Sequence, residues 1–403
     1  MQNDIKIIRL KPKKEESLKR GHPWIFSGAM GSVPEGLEEG DVVKIISSDG
    51  SSVGFGHYQI GSISVRMLSF TNEDIVDSHG RLSRQFLMDR LESAFSLREN
   101  LHLVRPDNNC FRLVHGEGDF LPGLVVDIYG DTAVVQAHSP GMHYERHNIA
   151  QCLTDLSGLN VRNVFYKSET TLPYKARLDP VNEYLVGHYD GALALENGLS
   201  FNIDWLKGQK TGFFIDQREN RMLLEKFAKN KNVLNMFCYT GGFSVYALRG
   251  GADNVVSVDS SAKAIALTDA NVTLNFPETQ SHQTVCEDGF KFLTDMPKDK
   301  YDLIILDPPA FAKHRSALKN GLIGYRKLNL KAFEKIKKGG VIFTFSCSQV
   351  VTKEMFRLAV FTAATQSGRK VRVLHQLSQP ADHPFDISHP EGEYLKGLVL
   401  YVE

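Results

Sequence analysis

Three carboxylates and one thiol recur through the second half of the chain at intervals that fit strand and helix units: Asp259, Asp288, Asp307 and Cys347. Each follows an apolar run, and each suits a different task. A carboxylate at Asp259 can accept hydrogen bonds from both hydroxyls of a ribose, and one at Asp288 can accept from an adenine amino group. Asp307, followed by Pro308 and Pro309, can hydrogen-bond a heterocycle where charge develops during attack. Cys347, set between Ser346 and Ser348, is a candidate nucleophile. Ahead of them, Asn235, Phe237, Tyr239, Thr240, Gly241 and Gly242 form a strand end and a turn whose glycines let backbone approach a ligand closely. Other readings stay open residue by residue. Asp259 reads equally well as the N-cap of a helix beginning near Ser261, Asp288 as another cap, and the glycine pair as a tight turn. Three such groups in register favour an adenosine ligand with a thiol beside it.

The elements that must position these groups follow from periodicity. Residues 233–237, 255–258, 284–286, 301–306 and 341–345 are short, largely apolar and rich in β-branched or aromatic residues, the pattern of strands buried on both faces. Segments of helical composition lie between them over 261–274, 289–296 and 325–338, the last stopped by Gly339 and Gly340. Alternating strand and helix imply right-handed crossovers and an α/β, doubly wound, mostly parallel sheet. In such a sheet, ligands gather at the carboxyl edge of the strands, where every candidate above is placed.

The identity of the ligand is narrowed by what is missing. The chain has no phosphate-cradling G-x-x-x-x-G-K-[ST] loop, and its first turn has no basic residue to meet a polyphosphate. S-adenosylmethionine needs neither. The run 235–244 with Asp259, Asp288 and Asp307-Pro308-Pro309 resembles the successive motifs of class I S-adenosylmethionine-dependent methyltransferases. Residues 210–221 are similar to an element of one subgroup, the bacterial large-subunit rRNA methyltransferases of the PUA-domain cytosine-5 type. Residues 20–28, 111–127 and 389–396 resemble the same subgroup. The resemblance implies a Rossmann-like methyltransferase domain over 188–403 with its lead-in hairpin. Before it, a small β-barrel PUA RNA-binding domain over 1–72 and a central α+β RNA platform over 73–187 are expected. It also implies that Phe213, Gln217 and Arg218 contact the cofactor; for one of Phe213 and Phe214, ordinary core packing remains the better account.

Under this resemblance Cys347 would add to carbon 6 of a cytosine and make carbon 5 nucleophilic, while Asp307 holds the base at N3 or the exocyclic amine. Methyltransferases of exocyclic amines use a similar Asp/Asn-Pro-Pro-aromatic motif without a cysteine. Here the fourth position is Ala310, and the aromatic Phe311 comes one place later. Nitrogen methylation of a guanine or adenine by the same fold is the alternative, and a non-catalytic RNA-binding assembly factor the second. Cys238, inside the turn, reads as a small residue beneath it. Cys110, Cys152 and Cys286 have no paired spacing, and no metal site is expected. His383 and His389, in a Pro-rich stretch, read as hydrogen-bonded loop residues.

The formal net charge is zero over 403 residues, yet the basic residues are clustered. Residues 313–338 contain Lys313, Arg315 and Lys319 among nine basic side chains, against one acid, Glu334. Lys313 and Arg315, next to the Asp307 loop, are read as phosphate contacts, whereas Lys331, Lys335 and Lys338 suit a solvated helix face. A second basic segment runs from Lys6 to Arg20 and leads into His22 and Trp24. Arg20, His22, Trp24, Lys313, Arg315 and Lys319 are thus the expected RNA-binding set, with large-subunit rRNA the expected partner. A homodimer is left open. Scattered cysteines, the absence of a signal pattern and of any membrane-length apolar run lead to an expected cytoplasmic location.

Overall fold

The computed structural model describes residues 5–71, 75–173, 176–189 and 193–403. They group into two compact units. The first comprises Met1–Gly198, Ile203–Ile215 and Ala381–Gly392, and the second Leu199–Asn202, Asp216–Pro380 and Glu393–Glu403. The boundary expected at residues 72–73 and the initial residues 1–4 lie outside the described residues. The PUA-like and central regions fall in one unit, joined there by 203–215 and 381–392, segments read from sequence as part of 188–403.

The first unit opens with β1 (Lys6–Leu10), α1 (Glu16–Lys19), β2 (Trp24–Phe26), β3 (Met30–Ser32), β4 (Val42–Ile46), β5 (Ser52–Tyr58) and β6 (Ile63–Ser69). Its strands pair in the order β2-β6-β5-β4-β1-β3, so the small barrel expected here is a curled half-barrel with β2 and β3 at its edges. Next come α2 (Arg84–Asn100), β7 (Cys110–His115), β8 (Leu124–Tyr129), β9 (Thr132–Ala137), α3 (Pro140–Tyr144), α4 (Arg146–Asp155), β10 (Asn163–Tyr166), β11 (Glu183–Val186) and β12 (Leu193–Glu196). Strands β7 to β11 form a five-stranded sheet. Ser83 caps α2 by accepting from the Phe86 amide, and Leu87, Leu91, Ala94, Phe95 and Arg98 line its buried face at helical spacing. Val42, Phe55 and Leu68 of the half-barrel share one apolar core with that face and with the inner side of β7–β9. Arg98, fully buried, is held by both carboxylate oxygens of Asp119 and donates to the Asp382 carbonyl at 2.8 Å, which fixes the 381–392 segment within this unit.

The second unit contains β13 (Leu199–Asn202), α5 (Arg218–Ala228), β14 (Asn232–Met236), α6 (Gly242–Arg249), β15 (Asn254–Asp259), α7 (Ala262–Asn275), β16 (His282–Cys286), α8 (Gly289–Asp295), β17 (Leu303–Leu306), α9 (Leu318–Lys335), β18 (Gly340–Ser346), α10 (Lys353–Ser367), β19 (Val371–Leu377) and β20 (Lys396–Val402). Seven strands pair in the order β16-β15-β14-β17-β18-β20-β19. The first five run parallel, and β20 is antiparallel to both β18 and β19. Alternate residues divide between the faces. Leu234, Met236, Val256, Ile304 and Leu306 pack on one side with Tyr325, Leu328, Phe333 and Phe356 of α9 and α10. Val233, Val255, Leu303, Ile305, Phe343 and Phe345 pack on the other with Leu224, Phe243 and Ala247 of α5 and α6. The five expected strands are therefore present, four of them buried on both faces; β16, at the edge of the sheet, has no fully buried residue and corrects that part of the expectation, and the doubly wound reading holds.

Two features depart from expectation. Strands β19 and β20 were not foreseen. Helix α9 begins at Leu318 rather than near residue 325, because Gly321 and Gly324, which weaken a helix by about 1 kcal/mol each, serve packing here. A Cβ at Gly321 would stand 2.7 Å from the Ala312 Cβ, and one at Gly324 2.9 Å from the Phe311 ring, so the helix lies directly against the loop after β17. Among the described residues no helix is long and apolar enough to cross a membrane.

Candidate active site

The carboxyl ends of β14, β15 and β16 carry the first group of candidates. Strand β14 stops at Met236, one residue earlier than expected, and the chain turns through left-handed backbone at Phe237 (φ 60°), Tyr239 (φ 48°) and Gly241 (φ 77°). Such conformations cost about 1–3 kcal/mol at non-glycine residues and persist only where the surroundings impose them. Here the anchors are explicit. The Cys238 amide donates to the Val258 carbonyl at 3.1 Å, Thr268 Oγ1 donates to the Tyr239 carbonyl at 2.9 Å, and Asn271 Nδ2 to that of Thr240 at 2.8 Å. Gly241 must be glycine, since its Cβ would meet Thr268 at 2.7 Å; Gly242, opening α6, lies against Arg221.

Asp259 takes up both neighbours of this turn. Its Oδ2 accepts from the Tyr239 amide at 3.0 Å and its Oδ1 from the Ser261 amide at 2.9 Å. The helix cap is Ser261, which accepts from Ala264, so the cap reading of Asp259 does not hold. Each of its oxygens retains a lone pair for a further donor. Asp288 differs: it is exposed and caps α8 by accepting from the Lys291 amide at 2.9 Å. Asn235 is buried, and its Nδ2 donates to Ser244 at 2.8 Å in a chain that continues through Ser257 to His282. Cys238 is buried with its thiol against Thr268, and burial pushes its pKa up to about 12, the inert thiol expected there.

The ends of β17, β18 and β20 carry the second group. Leu306 and Thr344 are register partners in adjacent parallel strands, so Asp307 and Cys347 leave the same edge side by side. Ser348 ties their loops together: its Oγ accepts from the Ala312 amide at 3.3 Å and lies 2.8 Å from the Tyr325 hydroxyl. Phe311 packs against Tyr325 with ring centroids 4.7 Å apart and planes inclined at 40°, and Pro308 is buried. Burial of the Asp307 carboxyl, reinforced by the like charge of Asp216, pushes its pKa up to about 7, while the Gln217 hydrogen bond and the Arg221 charge oppose the rise. Gln217 Nε2 donates to Asp307 Oδ2 at 3.1 Å, and Asn220 Nδ2 to Gln217 Oε1 at 2.6 Å. Gln217 and Arg218 are both buried. Asp216 accepts from the Tyr394 hydroxyl at 2.7 Å, and its Oδ1 is buried with no partner among the described residues. Cys347 is half-buried and unoxidised.

The remaining candidates are distributed. Lys313, Arg315 and Lys319 are exposed on and before the start of α9. Lys331 pairs with Glu334 at 3.0 Å, and Lys335 donates to the carbonyls of Thr294 and Met296, so these two are tied down within the fold, whereas Lys338 is exposed. Phe213 is buried in the first unit, which also holds Arg20, His22 and Trp24. Arg20 is exposed. The Trp24 indole donates to Glu117 at 2.7 Å, and the Arg66 guanidinium lies 5.3 Å from its ring centroid. His22 stands 3.5 Å from Glu391, and the His389 ring 4.4 Å from Trp24. Of the amino-terminal basic residues, Lys6 pairs with Asp41, and Arg9 and Lys11 donate to backbone carbonyls. Among the described residues no group of three His, Cys, Asp or Glu side chains is placed to hold a metal ion.

Sequence reasoning passed over Asp216, Tyr394 and Lys396. All three lie inside stretches already singled out, 210–221 and 389–396, but their relation to Asp307 and Cys347 arises from strand pairing and leaves no local signal.

The donor set suits S-adenosylmethionine: carboxylates with free lone pairs at the ends of adjacent strands, beside the glycine turn. Comparison with known proteins agrees. The profile of an S-adenosylmethionine-dependent methyltransferase family matches residues 112–392, and that of a PUA-like domain residues 8–70. A ribosomal RNA large subunit methyltransferase I from Tolumonas auensis is 37% identical over 399 residues, and one from Aeromonas hydrophila 38% over 399, each alignment covering 98% of both chains. A protein described as a SAM-dependent methyltransferase from Streptococcus mutans shares the fold with a TM-score of 0.82 at 24% identity, over 99% of this chain and 100% of that one. A methyltransferase solved in complex with SAH does so with a TM-score of 0.84, at the same identity and coverage. With a profile spanning most of its length and relatives above 35% identity end to end, the chain belongs to the S-adenosylmethionine-dependent methyltransferase family that includes these proteins.

Proposed function

We propose that this protein methylates carbon 5 of a cytosine in large-subunit ribosomal RNA, through a covalent bond between Cys347 and the base. The full-length likeness to proteins named for large-subunit rRNA methylation supports the substrate, and the PUA-like match supports RNA as partner. A cytoplasmic location accords with such a substrate. The observation that supports the chemistry is the Ser348 link between the loops that follow two adjacent parallel strands: one loop carries an acid whose pKa is pushed up to about 7, the other a half-buried thiol.

Carbon 5 of cytosine is a poor nucleophile until something adds to carbon 6. The Cys347 thiolate forms the S–C6 bond, the C5=C6 pair shifts to C4=C5, and the C4=N3 pair moves onto N3. Asp307, protonated, delivers its proton to N3 and accepts from the 4-amino group with its other oxygen. Bound S-adenosylmethionine supplies the electrophilic methyl group that carbon 5 then takes up. Asp259, Asn235 and the 237–242 turn hold the cofactor in this reading, with Asp288, Gln217 and Arg218 beside them. The carbon-5 proton passes to water, its bonding pair re-forms C5=C6 and the S–C6 bond breaks to release the Cys347 thiolate, while N3 returns its proton to Asp307. Lys313, Arg315 and Lys319 meet the flanking phosphates.

The test is trapping. RNA containing 5-fluorocytidine cannot lose fluorine as it would a proton, so the enzyme should remain attached through Cys347. Cys347→Ala should abolish both adduct and turnover while S-adenosylmethionine still binds. A Cys347→Ala protein that methylates RNA would remove this mechanism and favour methylation of a ring or exocyclic nitrogen.

A further inference from the structure

Lys396 is a buried cation with no salt-bridge partner among the described residues. It opens β20, is 4% exposed, and its antiparallel register sets it opposite Ser346, the residue before Cys347. Its Nζ donates at 2.7 Å to the carbonyl of Ser348, the residue after Cys347, and at 2.7 Å to that of Tyr394. Two of its three donors are thus placed on carbonyls, one of which brackets the thiol. Among the described residues no carboxylate lies within salt-bridge distance of it, and the neighbouring Glu393 is paired with Lys353. An ammonium buried in this way is costly unless a counter-charge is supplied. Removing a lysine's charge is the other escape, and burial does push its pKa down to about 8. Cys347 and Glu393 oppose that fall, and Lys353 adds to it.

We infer that Lys396 is a positioning residue that supplies the counter-ion of the Cys347 thiolate, holding the sulfur deprotonated and aimed at the substrate through its grip on the Ser348 carbonyl. The inference rests on the cysteine mechanism above for its use in catalysis, though not for its electrostatics. The two groups complete each other: the thiolate is the negative charge the ammonium lacks, and the ammonium lowers the cost of releasing the thiol proton to solvent. The other groups that bear on the pair are Glu393, Lys353 and the Tyr325 phenol, whose own ionisation Cys347 disfavours. Cys238 differs: its thiol faces Thr268, and burial raises its pKa.

The pH dependence of Cys347 alkylation by iodoacetamide, followed peptide by peptide on the full-length protein by mass spectrometry, reads this directly. The wild-type midpoint should lie below about 8.5, the value of an unperturbed thiol. Lys396→Gln, which keeps a donor and loses the charge, should raise the midpoint by about one pH unit, and Lys396→Arg should restore it. A wild-type midpoint at or above that of a free thiol overturns the proposal without any variant. So does an unmoved midpoint in a Lys396→Gln protein that still binds S-adenosylmethionine. A shifted midpoint together with no adduct on 5-fluorocytidine RNA would leave the ion pair standing and remove the cytosine-5 reading; an adduct with an unshifted midpoint would do the reverse.

Discussion

At the β14–β15–β16 end of the sheet edge, polar side chains hold backbone: Asp259, Thr268 and Asn271 each bond to the 239–240 turn or its neighbours. At the β17–β18–β20 end, burial shifts ionisable side chains: it raises the Asp307 pKa, with the charge of Asp216 adding to the rise, and lowers that of Lys396 against the opposing pull of Cys347. The first end is a cradle of hydrogen-bonded backbone, which the proposed function assigns to the cofactor. The second holds groups whose pKa the fold has moved, and the proposed function uses their protonation. On that proposal, binding and chemistry share one edge but draw on different physical resources.

The sharpest break in this comparison uses its two thiols. Cys347→Ala should lower turnover by at least about 10³-fold, as for loss of a covalent nucleophile, whereas Cys238→Ala, at the cradle end, should keep turnover and lose roughly 1 kcal/mol of stability. Steady-state kinetics and urea unfolding on both variants check this.

Asp307 sharpens the contrast through pH. Its folded pKa of about 7 stands above the unfolded value near 3.9. The folded state therefore holds the proton more tightly, and stability falls as pH rises between those two values. Asp307→Asn should be more stable than wild type at pH 8 by roughly 1–3 kcal/mol and indistinguishable near pH 4. The same variant, unable to deliver a proton, should lower kcat and remove its basic limb near pH 7, and Asp307→Ala should lose about 10²–10³ in kcat below pH 7.

At the cradle end, Asp259→Ala should weaken S-adenosylmethionine binding by roughly 1.5–3 kcal/mol in calorimetry. Asp288→Ala should cost about 1 kcal/mol of stability through its cap and shift cofactor affinity far less; equal losses at the two would erase the distinction drawn between them. Reversing Lys313 and Arg315 to Glu should raise the Michaelis constant for RNA and flatten its salt dependence, leaving both ends of the edge intact.

Legibility in the sequence follows the same division. The parallel strands, the glycine turn and the acid series could be read from residues 233–307, because two-sided burial writes continuous apolar runs and a turn demands glycine locally. The fate of single carboxylates could not: Asp259 and Asp288 look alike along the chain, and only Ser261 taking the cap separates them. Helix α9 was read short because glycine propensity is local while the approach of Phe311 and Ala312 is tertiary.

What the sequence determined by itself was the alternation of elements, and with it the edge where Asp307 and Cys347 must emerge. What only the tertiary structure decided was the company they keep. Asp216 and Lys396 lie far from Asp307 and Cys347 along the chain and reach them through loop packing and an antiparallel strand. Ionisation depends on burial and on charges a few ångströms away, quantities set by the packed fold and not by neighbours in sequence.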